Sequence, residues 1–159
     1  MELIQILALI KKEMTEIERT VMICVNRHKK WNEFIKSGEE DILIDSIANC
    51  LHSFYTGSEN IFEIVAVEID GGLPKGEKWH LKLIELMQLN LPIRCSVISE
   101  RTAEKLDEYR AFRHLFRNIY THRIIPEKVM SMCDKLLQTW QCLKTDLDGF
   151  ILTMEETNA

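Results

Sequence analysis

Between Tyr109 and Pro126 the chain places four arginines (Arg110, Arg113, Arg117, Arg123) and two histidines (His114, His122), with no carboxylate among them. An imidazole moves protons near neutral pH, and a guanidinium holds phosphoryl oxygens through paired hydrogen bonds. Arg110, Arg113 and Arg117 recur at 0, 3 and 7, beside a stripe of Tyr109, Phe112, Phe116 and Ile119 at 0, 3, 7 and 10. Both are helical spacings, so one helix would bury the aromatic stripe and present the arginines next to it. Leu115, Asn118 and His122 form a further row near the end of that helix. The chemistry on offer is anion binding beside proton transfer. A plainer reading stays open, in which the arginines pair with acids elsewhere in the fold, Arg113 above all. That reading accounts poorly for Asn118 and His122.

The acids are just as concentrated. Residues 37–70 carry eight Asp/Glu and no Lys or Arg, whereas the whole chain of 159 residues has a net charge of −5. The average therefore hides one acidic segment and one arginine-rich segment, and does not exclude an anionic partner.

Other patterns carry less. Gly71 and Gly76 have the spacing of a phosphate-binding loop, but Gly76-Glu77-Lys78 puts a carboxylate where Lys-Ser/Thr is required. Glu77 and His80 have the Glu-x-x-His spacing of di-iron bundles, once only, where that chemistry needs two copies and two further glutamates. Both read as structural. Five cysteines (Cys24, Cys50, Cys95, Cys133, Cys142) lack any CxxC pair and read as free, mostly buried thiols. No metal and no cofactor is expected.

These residues must be positioned by helices. Leu3, Leu7, Ile10, Met14, Ile17, Val21, Cys24, His28, Trp31 and Ile35 alternate spacings of 4 and 3. That seam predicts one continuous helix to Ser37-Gly38, about 50 Å long, with His28 a hydrogen-bonded core residue. A second helix is expected from Glu39 to about Asp70, with Gly57 as a point where it could kink. A third runs from about Glu77 to Gln88. A fourth, capped by Ser99 or Thr102, runs to about His122. A fifth runs from Pro126 to about Met154. The expected fold is all-α, a single up-and-down bundle of about five helices over residues 1–155, with a frayed tail at 156–159. Few glycines and prolines argue against a turn-dense β architecture. No apolar run reaches the roughly 18 residues of a membrane span, and the N-terminus lacks the charge and cleavage pattern of a signal peptide. A cytoplasmic protein is the expectation.

Arg117-Asn118-Ile119-Tyr120-Thr121-His122 resembles the motif of HEPN-superfamily ribonucleases: an arginine, a polar residue directly after it, and a histidine a few positions on. The stretch Tyr109–Tyr120 and the bundle layout resemble the HepT-like toxins of toxin–antitoxin pairs. The resemblance implies a homodimeric, metal-independent endoribonuclease whose motif helices face each other across a twofold axis. It implies an RNA substrate and a nucleotidyltransferase-type antitoxin as partner. On that reading His122 is the base or acid and Arg117 clamps the scissile phosphate. Asn118 positions the phosphate or the imidazole, and Arg110, Arg113, His114 and Arg123 bind RNA. Arg117 and His122 lie five residues apart and would point about 140° apart on an ideal helix. They converge only if the helix ends near His122 or if two copies build one cleft.

One position departs from the family pattern. Where many HepT toxins carry the tyrosine that the antitoxin modifies with AMP, two residues after the histidine, this chain has Ile124, and Tyr120 lies inside the motif instead. Two other classes stay open: a non-catalytic partner of a nucleotidyltransferase, and a helical scaffold assembled through the first helix.

Overall fold

The acidic segment turns out to be the axle of the molecule. A computed structural model describes residues 1–120 and 123–159. It contains six helices: α1 (Leu3–Lys29), α2 (Trp31–Ser37), α3 (Glu40–Glu68), α4 (Trp79–Met87), α5 (Glu100–Asn118) and α6 (Pro126–Thr157). Helix α3 packs against each of the other five. It can do so because its apolar residues cover more than one face: Ile44, Ile47, Leu51, Phe54, Tyr55, Ile61, Phe62 and Val65 are all buried. The β-branched run at its end stays helical to Glu68. Gly57, offered by the sequence as a kink point, is where α1 comes nearest. A Cβ there would stand 2.7 Å from Ile17 Cγ1.

The all-α class holds, and there is no strand among the described residues, whose one β-bridge joins Leu91 and Arg94. Three boundaries differ from expectation. The first helix is two: the backbone leaves the helical region at Lys30 (φ −87°, ψ 5°), which makes six helices and not five. The re-aimed α2 lays Trp31 and Phe34 against the core. Ile35, the seam position, is left 47% exposed. The buried seam therefore stops at Cys24, and His28 is a half-buried residue with Nε2 3.5 Å from Asp134, not a core histidine. Helix α5 ends at Asn118, because Ile119 is extended (φ −119°, ψ 156°) and the Asn118 amide donates to the His114 carbonyl at 2.7 Å. Helix α6 runs on to Thr157, past Met154.

The connections are tied down by specific contacts. Gly38, at φ +73°, closes α2. Ser99 caps α5 by accepting from the Thr102 N–H, and Asp146 of α6 accepts from both the Ser99 N–H and its hydroxyl (2.8 and 2.9 Å). In the loop before α5, the Arg94 side chain is fully buried and donates through all three nitrogens. Nε and Nη2 reach Asp70 at 2.6 Å each, and Nη1 and Nη2 also reach the carbonyls of Leu89, Cys95 and Leu86. Those five bonds use every donor a guanidinium has.

All five thiols are free; Cys24, Cys50 and Cys133 are buried, with Cys24 Sγ 3.4 Å from Cys133 Sγ. No helix among the described residues is long and apolar enough to cross a membrane.

Candidate functional site

Helix α5 turns its aromatic stripe inward as its spacing requires. Tyr109 and Phe112 are buried and Phe116 packs half-buried against the core. Tyr109 donates its hydroxyl to the Met132 carbonyl at 2.8 Å and meets the Phe54 ring edge-on. That anchorage fixes the rotation of α5, so the arginine stripe must emerge beside it. Arg110, Arg113, His114, Arg117 and Asn118 line one pocket of about 320 Å³, together with His80 of α4.

The three arginines differ in what holds them. Arg110 Nε donates to Asp107 of its own helix at 2.6 Å. Arg113 reaches the acidic helix, donating from Nη1 to Glu59 Oε1 and from Nε to Thr56 Oγ1, both at 3.1 Å. The pairing weighed from the sequence is therefore real for Arg113, yet it occupies two of the five donors. Arg117 is exposed and makes no hydrogen bond or ion pair among the described residues. His114 is exposed on the rim, and the Asn118 amide nitrogen is turned back to the helix end. His122 lies outside the described residues. Arg123 does not join this pocket: its guanidinium lies 5.7 Å from the centre of the Tyr120 ring, on the side of a second, apolar groove.

The acidic side of the pocket was hard to see in the sequence. Glu59 is only 3% exposed, and its Oε2 receives the Nδ1–H of His80 at 2.7 Å. His80 is 31% exposed, and the Trp79 ring packs over it with centroids 3.7 Å apart. The signal for Glu59 was a carboxylate between Tyr55 and Phe62 on a buried row. A carboxylate kept on such a row has to be paired. His80, judged from Glu77-x-x-His80 alone, gave no hint of its partner one helix away. Among the described residues no group of three His, Cys, Asp or Glu is placed to hold a metal ion.

The field of the cleft is felt by its neighbours. His52, its ring tilted against Phe116 with centroids 5.3 Å apart, is lowered from the usual histidine range by burial and then by the positive charges of Arg113 and Arg117. Burial and the Glu59 charge push the Tyr55 phenol well up, and they also raise the Glu63 carboxyl. On the far side of α5, a hydrogen bond from Lys128 holds Glu108 below the ordinary carboxylate range. The cleft is thus a cationic wall over a single buried carboxylate, suited to an anion with several oxygens.

A second groove, of about 300 Å³, opens on the opposite side of α5 and is lined by Phe112, Leu115, Phe116, Ile119, Ile124 and Ile125. Leu115 and Ile125 are exposed there. A family model described as HepT-like protein matches residues 46–154, from α3 to near the end of α6. No curated protein matches the chain.

Proposed function

The chain belongs to the HepT-like family of the HEPN superfamily, and from that premise we propose that it is a metal-independent endoribonuclease working as a homodimer. The observation that carries the reading is the state of Arg117. It stands at the last turn of α5, inside the matched family span, in a cationic cleft, with no carboxylate on it. An arginine at a structural site is paired; one held out into a cleft is available to a phosphate.

In this mechanism His122 takes the proton of a ribose 2′-hydroxyl, and the freed oxygen attacks the adjacent phosphorus. The P–O5′ bond breaks, leaving a 2′,3′-cyclic phosphate and a 5′-hydroxyl end. Arg117 clamps the phosphoryl oxygens as charge gathers on them. Arg110, Arg113 and His114 hold the flanking backbone, and Asn118 orients the scissile group.

The second copy is assigned to the apolar groove beside the motif. Its floor is apolar, with Glu108, Arg123 and Lys128 at its edges, and it runs from α5 into residues 124 and 125 on the side away from Arg117. A twofold partner seated there would bring Ile119, Ile124 and Ile125 of two copies together at the end of α5, next to the motif. Ile124, at the family's acceptor-tyrosine position, faces this groove. A nucleotidyltransferase-type antitoxin would then neutralise the protein by covering the cleft and not by modifying that position.

Overexpression and RNA cleavage test the reading together. His122→Ala should relieve growth arrest and lower cleavage at least about 100-fold, the scale of a lost general base, while the dimer persists in sedimentation. Undiminished cleavage by the purified variant overturns it.

A further inference from the structure

Glu59 and His80 are left over by that mechanism, and their arrangement is that of a working imidazole. Nδ1 gives its proton to Glu59 Oε2 at 2.7 Å, and Glu59 Oε1 is in turn held by Arg113 Nη1 at 3.1 Å. The carboxylate is buried and anchored on α3, so it fixes the ring's tautomer and rotation. Trp79 restrains the ring further from one side. The remaining nitrogen, Nε2, has no hydrogen-bond partner among the described residues, and His80 lines the same pocket as Arg117 and Asn118. A purely structural Glu59–Arg113 pair would need no histidine at the pocket edge, and a surface histidine would need no buried carboxylate behind it.

We propose that His80 is a second catalytic residue, meeting the phosphodiester through Nε2 and handing its proton to the departing 5′-oxygen, with Glu59 as its positioning residue. This rests on the nuclease reading above. The protons balance: His122 removes one from the 2′-hydroxyl as the O2′–P bond forms, and His80 supplies one as the P–O5′ bond breaks. Glu59 and Glu63 on α3, and Arg110, Arg113, His114 and Arg117 on α5, surround the imidazole. A phosphodiester drawn to the arginines is thereby brought to Nε2.

Two measurements on the full-length protein decide the matter. In the first, uridine 3′-monophosphate is titrated into protein labelled with ¹⁵N-histidine. The His80 ring signals should move saturably; signals that stay still overturn the assignment even if RNA is cleaved. In the second, cleavage of a defined oligoribonucleotide is followed against pH. His80→Gln should lower kcat about 100-fold or more with KM changed less than about threefold, and should remove the fall in kcat on the alkaline side. Glu59→Gln should cost about 10-fold in kcat while leaving that alkaline limb displaced but present. A histidine that only braces α4 would leave kcat and the pH profile intact and lower the melting temperature alone, which overturns the proposal. If the wild type moves His80 on titration but cleaves no RNA, the nuclease reading and the proton step fall together. The phosphate contact alone then survives.

Discussion

Arg94 and Arg113 are both held by a carboxylate from the acidic second segment, yet they do opposite things. Arg94 is sealed: its five donors meet Asp70 twice and three backbone carbonyls, and none of its side chain is exposed. Arg113 meets Glu59 once and Thr56 once, and the rest of its guanidinium borders an open cleft. Three N–H donors are thus left for something that is not part of the fold. A saturated arginine is architecture, and an unsaturated one beside a cavity is a binding group. Arg117, with no hydrogen-bond or ion-pair partner among the described residues, is the far end of that series.

The sharpest way to break the contrast is to unpair the sealed arginine. Asp70→Asn removes the carboxylate that balances a buried guanidinium. It should cost about 3 kcal/mol of stability, read by urea denaturation, while RNA binding by the folded protein stays unchanged. A loss below about 1 kcal/mol would make the two arginines alike. Arg117→Gln should do the reverse. Stability should stay within about 0.5 kcal/mol of the wild type, because Arg117 makes no hydrogen bond or ion pair among the described residues. RNA affinity should fall, and the slope of log affinity against log salt should drop by about 1 as one phosphate contact disappears. An unchanged slope would take Arg117 out of the interface.

The smallest effect reads the same difference through His52. Its folded pKa is lowered by burial and by Arg113 and Arg117, so the unfolded chain takes up the proton more readily. The stability it contributes is present above the ordinary histidine pKa of about 6.5 and is lost as pH falls below it. His52→Gln should flatten that part of the stability curve. In Arg117→Gln the His52 titration, followed by NMR, should move up towards its ordinary position.

The same two arginines mark what could be read from residue order. The aromatic and arginine stripes of α5 follow from spacing alone, because one helix carries both and its core face sets its rotation. The pairing of Arg113 with the acidic segment was legible as a possibility, since opposite charges were concentrated on two separate helices. Arg94–Asp70 and His80–Glu59 were not. Each joins residues 24 or 21 positions apart across a loop, and no periodicity within one element encodes a contact between two. The break at Lys30 escaped for a related reason. The heptad pattern runs straight through it, and only tertiary packing of Trp31 and Phe34 re-aims the chain. His122 lies outside the described residues, so its role rests on the motif.

The notch at Gly57 has a consequence for how α1 and α3 pack together. Ile17 sits where a methyl group on α3 would otherwise stand, and Gly57 is the one glycine in that helix. A slide of α1 along α3 would carry Ile17 off the glycine and against positions that bear side chains. The pair behaves as a detent, clicking into one register by shape. Because no charge takes part, that register is indifferent to ionic strength. Salt can loosen what the cleft holds without shifting the frame that holds it.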